Sequence, residues 1–272
     1  MLSLAQRIRA LQPEIIYDLA PERTAPQSAR DRFFFRKLVG VKDYRGGGLL
    51  HKPPKTAQGV LPRIEPEWKR LLGVIVAEVG NTDFRLSIPP AEQQRAPELL
   101  AREGVGGNVR ILAVGPGSKM PAKRWARDQF HDLGRQLLAA YPELHLLIAG
   151  GREGTAIGDD LCAAWGKRSH NAAGRLSILG SAAVLRECLG YVGNDTGVMD
   201  LASMVGIPCV ALFSARDYPG QWEPYGTGRL ILRHETDCAG CMLTICPYDN
   251  KCLSLVSTAE AVQAVGNIIT IY

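Results

Sequence analysis

From about residue 108 onward this 272-residue chain alternates short apolar runs ending near glycine with stretches of helical spacing, and no other feature constrains its fold as tightly. The runs are VRILAVG (109–115), LHLLIAGG (144–151), YVGND (191–195) and PCVALFS (208–214). Between them lie WARDQFHDLGRQLLAA (125–140), IGDDLCAAWG, SAAVLRECLG and GVMDLASMVG; in the first of these Trp125, Leu133, Leu137 and Leu138 fall at mostly helical spacing. Short apolar runs bounded by turn residues read as buried strands, and a 3.6-residue period reads as helix. Ser181 is the expected N-cap of the third helical stretch, Gly190 its stop, and Gly206 the stop of the fourth. Strands separated by helices need a crossover and so run parallel. Residues 106–257 are therefore expected to form an open, doubly wound α/β lobe. Residues 258–272 are expected to be a C-terminal helix, with the first lobe as one surface it could pack against.

Residues 1–105 give a weaker pattern. LAQRIRALQPEIIYDLA reads as a helix then a strand, GVIVAEVG (73–80) as a strand, and AEQQRAPELLAREG (91–104) as a helix with a glycine stop. The Pro- and Gly-rich span 46–66 is an expected loop. Together these read as an incomplete α/β lobe. No apolar stretch approaches the roughly 18 residues that span a bilayer. The N-terminus MLSLAQRIRALQPE carries charges inside its apolar run and lacks a secretory cleavage pattern, so a cytoplasmic location is expected. Charge is uneven: residues 1–70 hold 14 Lys/Arg against 7 Asp/Glu, whereas the remainder holds 18 against 20. That asymmetry points the first lobe at an anionic acceptor or a membrane surface, or is simply a solvated basic face. Nucleic acid is not expected, because no basic segment is interleaved with aromatics at stacking spacing.

Ligands of open parallel sheets bind beyond the C-terminal strand ends. Two loops at such ends carry suitable chemistry. In GPGSKMPAKRW (115–125) the glycines let backbone approach an anion, Ser118 offers a hydroxyl, and Lys119, Lys123 and Arg124 supply charge just before a helix. In GNDTGVMDLAS (193–203) Asp195 ends a strand, Thr196 and Gly197 open a helix, and Asp200 lies one turn in, so backbone N–H groups and the helix dipole favour a phosphate. A turn with solvated lysines and a plain N-cap are the structural alternatives. The pair says more than either loop, since two such loops in one sheet can grip a nucleotide diphosphate.

Seven cysteines are present. Cys162, Cys188 and Cys209 sit in apolar runs and read as core residues. Cys238, Cys241, Cys246 and Cys252 place four thiols within 15 residues, a set that a structural zinc ion or an iron–sulfur centre would use, free thiols being the alternative.

NDTGVMDLASMVGIPCVALFSARDYPGQWEPYG resembles the signature of glycosyltransferase family 9, the ADP-heptose:lipopolysaccharide heptosyltransferases and their relatives. GPGSKMPAKRW is similar to the family's earlier Gly–Lys–Trp loop, GGREGTAIGDDL to its Gly-Gly-x-x-Glu segment, RDRFFFRKLVG (30–40) to an acceptor-lobe segment, and the cysteine-bearing tail also occurs in family members. The resemblance implies a GT-B fold of two Rossmann-like lobes, here with the N-terminal one incomplete. It also implies an inverting, metal-independent transfer of a heptose or related sugar from a nucleotide diphosphate, with ADP favoured, to a lipopolysaccharide-core or other anionic glycolipid acceptor at the inner membrane. By position Ser118 and Lys123 would hold phosphates, Glu153 the ribose, and Asp195, Thr196 and Gly197 the diphosphate and sugar. Two departures stand out. Asp200 occupies the position of a family histidine, and a carboxylate there repels a diphosphate unless it is paired or turned away. The family's N-terminal Gly-Asp loop, whose Asp is the general base, has no counterpart, so no catalytic residue is assigned; a misplaced start codon or a non-catalytic nucleotide-sugar-binding remnant would each explain that. A nucleotide-sugar epimerase of the same fold would need further catalytic carboxylates and histidines, and no such set is evident.

Overall fold

A computed structural model describes residues 2–20, 24–48, 52–75, 83–107 and 109–271, with the side chain of Ile271 left out. The chain divides into two compact units, Met1–Asp83 with Pro219–Gln221, and Phe84–Tyr218 with Trp222–Tyr272.

The first unit contains α1 (Leu2–Ala10), β1 (Ile15–Asp18), α2 (Ala25–Phe33), a π-helical turn (Phe34–Val39), β2 (Asp43–Gly46) and α3 (Glu67–Ile75). β1 and β2 pair in parallel, Ile15 opposite Asp43 through Asp18 opposite Gly46. Ala5, Phe34, Val39 and Val41 form its buried cluster, with Phe35 stacked on Tyr44 at 5.6 Å. The helix-then-strand reading of the N-terminus holds. The strand expected at 73–80 does not: Gly73–Ile75 close α3, and 76–80 lie outside the described residues. Trp68, Leu71, Leu72 and Ile75 recur at helical spacing, and a window opened at Gly73 misses that period.

The second unit runs α4 (Pro90–Gln94), α5 (Ala96–Arg102), β3 (Arg110–Gly115), a 3-10 turn (Pro121–Lys123), α6 (Arg127–Ala140), β4 (Leu144–Ile148), a second 3-10 turn (Arg152–Gly154), α7 (Thr155–Trp165), β5 (Ser169–Asn171), α8 (Ile178–Arg186), β6 (Gly190–Asn194), α9 (Gly197–Met204), β7 (Cys209–Leu212), β8 (Arg229–Leu232), α10 (Lys251–Ser254) and α11 (Thr258–Ile271). Its sheet is six-stranded and all parallel, in the order β5-β4-β3-β6-β7-β8. This is the doubly wound order, with the direction of growth reversing between β3 and β6. Side chains alternate along β3 to feed two cores. Leu112 and Val114 join Phe130, Leu133 and Leu137 of α6 and Leu161 of α7 on one face. Ile111 and Ala113 join Leu99 and Leu100 of α5, Leu185 of α8 and Met199 of α9 on the other. Helices on both faces explain why these strands are nearly continuous apolar runs.

Several expectations are corrected. The helix expected over 91–104 is two helices, broken at Arg95, because Pro97 has no N–H to offer the carbonyl of Gln93. The N-cap of α8 is Ser177, whose hydroxyl accepts the Gly180 N–H at 3.0 Å; Ser181 lies inside the helix. α4 and α5 belong with the second unit, since Ala96 packs on Ala182 and Ala183, so the division falls at 83 rather than 105. α11 packs on the second unit's own core through Ala261, Ala264, Val265, Ile268 and Ile269. Cys188 and Cys209 are buried and Cys162 packs against the core, as expected of small apolar residues.

Candidate functional site

The strand order reverses between β3 and β6, and their carboxyl ends are held unusually close. A methyl group at Gly115 would fall 2.0 Å from the Tyr191 hydroxyl, and one at Gly193 would fall 2.4 Å from the Gly115 carbonyl oxygen. Asn194, fully buried at the tip of β6, ties both ends of the loop that follows β3. Its side-chain oxygen accepts the Trp125 N–H at 3.0 Å, and its amide donates to the Pro116 carbonyl at 2.7 Å. The Trp125 indole N–H donates to the Val256 carbonyl at 2.9 Å, and its ring meets Phe130 edge-on at 4.9 Å. Within the loop Ser118 Oγ accepts the Met120 N–H at 3.1 Å, and Arg124 donates to the Ser118 carbonyl at 2.7 Å. Arg124, expected as a charge for the ligand, is thus a brace for the loop.

The bracing aims Lys123. Its Nζ lies 2.5 Å from the Asp195 carboxylate and 3.2 Å from that of Asp217. Asp217 is gripped by Arg216, whose Nη1 is 2.7 Å from both carboxylate oxygens, and Arg216 also donates to the carbonyls of Leu243 at 2.7 Å and Met242 at 2.8 Å. Burial pushes the Asp195 carboxyl upward and Lys123 opposes the rise. Asp200 lines the cavity and is solvent-exposed; partial desolvation and the nearby Asp195 charge push its carboxyl upward, against the pull of Lys123. Thr196 caps α9 with extended backbone (φ −153°), and the first N–H groups of a helix have no partner within it.

All seven residues singled out as binding candidates, Ser118, Lys123, Glu153, Asp195, Thr196, Gly197 and Asp200, line one cavity of about 670 Å³ in the second unit. Sequence reasoning missed five residues of this region. Ser181, read as a cap, lines the cavity wall, as does Trp222, whose ring centroid is 6.0 Å from Lys123 Nζ. Asn194 and the Arg216–Asp217 pair act behind it. A charged pair directly after the buried strand PCVALFS was the available signal for the last two, because buried charges are kept only when paired.

The first unit carries a separate cavity of about 560 Å³, lined by Ser28, Arg32, Phe33, Arg36 and Lys37 among others. These residues fall in or beside the basic segment 30–40.

Cys238, Cys241, Cys246 and Cys252 surround a void of about 10 Å³ next to Ala215 and Arg216. All four are free thiols, and among the described residues no three His, Cys, Asp or Glu side chains are arranged to hold a metal ion. Backbone N–H groups of Ala215 and Tyr248 donate to the sulfurs of Cys252 at 3.3 Å and Cys246 at 3.4 Å. The segment that carries the cysteines also supports the Lys123 loop: Thr244 accepts the Ala122 N–H at 3.0 Å, and Asn250 donates to the carbonyls of Pro121 and Arg124 at 2.9 and 3.1 Å.

A sequence profile described as glycosyltransferase family 9 (heptosyltransferase) matches residues 77–251. The chain belongs to this family. Within the family it is similar to lipopolysaccharide heptosyltransferase 1 of Pseudomonas aeruginosa, 35% identical over 27% of this chain and 21% of that protein. It also resembles lipooligosaccharide heptosyltransferase 2 of Haemophilus influenzae, 25% identical over 54% of this chain and 44% of that protein. The chain therefore spans less than half the length of either curated relative. The crystal structure of the E. coli ADP-heptose lipopolysaccharide heptosyltransferase II aligns with 99% of this chain and 80% of its own, at 15% identity and a TM-score of 0.65, which shows a shared GT-B-type fold. The loops that meet at Lys123 and Asp195 lie within the matched residues.

Proposed function

We propose that this glycosyltransferase family 9 member transfers a heptose or related sugar, with inversion and without a metal, from an ADP-type nucleotide diphosphate to an anionic glycolipid acceptor such as a lipopolysaccharide core. The observation that carries the reading is the convergence of the Ser118–Lys123 loop and the Asp195–Gly197 turn on one cavity at the switch point of one sheet. In the transfer an acceptor oxygen forms a bond to the anomeric carbon while the bond from that carbon to the phosphate oxygen breaks. The nucleoside diphosphate leaves with the electron pair, and the acceptor proton passes to a base. Negative charge grows on the leaving diphosphate, and Lys123 with the N-terminal N–H groups of α9 would be in place to meet it; fixed donors aimed at developing charge are worth roughly 10²–10³ in rate each. Heptose and ADP are favoured by the names of the relatives, two heptosyltransferases and an ADP-heptose-dependent enzyme. The acceptor would approach the first unit, where Arg32, Arg36 and Lys37 line a cavity suited to a phosphorylated glycolipid at a membrane surface. No helix among the described residues is long and apolar enough to cross a membrane.

Calorimetric titration with ADP, GDP and UDP tests the donor. ADP is expected to bind tightest. If none of the three binds, the site is not a nucleotide site and the transferase reading fails with it.

A further inference from the structure

The cavity of the second unit is built along its sheet, and its walls follow the order of the strands. Leu176 and Ile178 come after β5, Glu153 after β4, Lys123 after β3, Gly197 after β6 and Trp222 after β7. A nucleoside diphosphate sugar is linear in the same sense: base, ribose, diphosphate, sugar. In the donor reading the apolar Leu176 and Ile178 suit the base, Glu153 the ribose, and Lys123 with the first turn of α9 the diphosphate. The sugar is next in line, and Trp222 is the next wall. Trp222 also packs against the core cluster that contains Met199, Ala211 and Phe213, so its ring is held in place before a ligand arrives. Lys123 Nζ lies over that ring, 6.0 Å from its centroid, and a diphosphate on Lys123 therefore sets its attached sugar beside the indole. The indole N–H groups of Trp125 and Trp165 donate to the carbonyls of Val256 and His131. That of Trp222 has no partner among the described residues and is left for a ligand.

We propose that Trp222 is the platform for the donor's sugar: its ring packs against the C–H face of the sugar, and its N–H donates to a sugar hydroxyl. The inference rests on the donor reading above and deepens it. A sugar ring is apolar on the face that carries its C–H bonds and polar at its rim, and an indole is an apolar plate with one polar tip. The contact of the ring with Lys123 gives Trp222 a second conceivable role, as a cation–π partner that orients the ammonium. The two roles separate cleanly. A residue that acts through Lys123 matters equally for ADP and for ADP-heptose, because both carry the diphosphate. A sugar platform matters only for the ligand that carries the sugar.

The test is calorimetry of ADP and ADP-heptose, without acceptor, on wild type, Trp222→Ala and Trp222→Phe. The quantity read is the ratio of the two affinities. In Trp222→Ala the ratio should shift against ADP-heptose by about tenfold, for one aromatic contact and one hydrogen bond lost, while ADP binds within about twofold of wild type. Trp222→Phe keeps an apolar ring and should keep most of the ratio. Fluorescence adds a readout on unmodified protein, since of the four tryptophans only Trp222 lines this cavity. ADP-heptose should change the emission beyond the change made by ADP, and Trp222→Phe should abolish that extra change. Thermal melts check the alanine variant, and the fluorescence comparison stands without it. Equal loss of ADP and ADP-heptose in Trp222→Ala would assign the ring to Lys123 and overturn the proposal. So would an unchanged ratio, an extra emission change that survives in Trp222→Phe, or none in wild type. Binding of none of ADP, GDP or UDP by wild type would instead reject the donor reading itself, and this inference with it.

Discussion

Replacing Lys123 with Met keeps the length and most of the volume of the side chain and removes only its charge. The burial of its partners sets the cost. Lys123, Asp195 and Asp217 have side chains 12%, 8% and 4% exposed, so the pairs are largely desolvated. Removing one partner of a buried pair costs about 3–5 kcal/mol, because it strands a charge. Asp217 keeps its ion pair with Arg216, whereas Asp195 keeps no ion pair among the described residues and only the more distant pull of Arg216, which places the loss near the low end, about 3 kcal/mol at pH 8. The sign with pH comes from Asp195. Its carboxyl is already raised in the folded state with Lys123 present, and losing the lysine raises it further. The folded variant then holds a proton that the unfolded chain releases more easily, so the penalty is full above the folded pKa and shrinks as pH falls toward 5. Urea unfolding at pH 8 and pH 5 reads this directly. Nucleotide affinity is the second measurement: a charge-assisted hydrogen bond to phosphate is worth about 1.5–3 kcal/mol, part of which Lys123 gives up in leaving its carboxylates, so ADP should bind more weakly by up to roughly tenfold. The double variant Lys123→Met/Asp195→Asn separates the two roles. Stability should return and affinity should not. Recovery of both would show that the lysine serves only to neutralise Asp195, and the phosphate assignment would be wrong.

Two further outcomes are expected. Asn194→Ala leaves the Trp125 N–H and the Pro116 carbonyl without their buried partner, at about 1–3 kcal/mol each; the thermal midpoint should fall and ADP affinity should fall with it, whereas an unchanged affinity would mean that the loop holds its shape without Asn194. Metal analysis of purified protein tests the cysteine cluster: the expected content is below about a tenth of an equivalent of zinc, whereas close to one equivalent would establish a structural site.

The second unit was legible because a parallel sheet covered on both faces writes itself as uninterrupted apolar runs, and β3, β4, β6 and β7 all appear that way. β5 did not, since Ser169–Asn171 is polar and short. His170 and Asn171 are buried there through partners elsewhere, His145 at 3.0 Å and Asp159 at 2.7 Å, and a local window sees neither. The site was legible in its outer residues, because glycine, lysine and Asp-Thr-Gly at strand ends carry chemistry in their local order. What holds those residues was not. Asn194 lies at the end of the strand run YVGND, where nothing local marks its partners, and it works across 69 and 78 positions of chain to reach Trp125 and Pro116. Arg216 and Asp217 look like solvated charges until the carbonyls of Leu243 and Met242 are brought beside them. Ser181 misleads for a simpler reason: four residues upstream, Ser177 offers the same cap chemistry, and its hydroxyl is the one that reaches a free N–H.

The charge arrangement around Lys123 says how such a site can bind a diphosphate at all. Two cations, Lys123 and Arg216, face two carboxylates, Asp195 and Asp217, so the ligand-free pocket holds no surplus positive charge at its base. A lysine already satisfied contributes to affinity only the difference between its old partner and its new one. The remaining attraction must come from groups that are not yet paired. The first turn of α9 supplies about half an elementary charge through its unsatisfied N–H groups. Fixed pairs of this kind keep the loop rigid before the ligand arrives, and preorganisation of that sort lets a site exchange partners without reorganising its backbone.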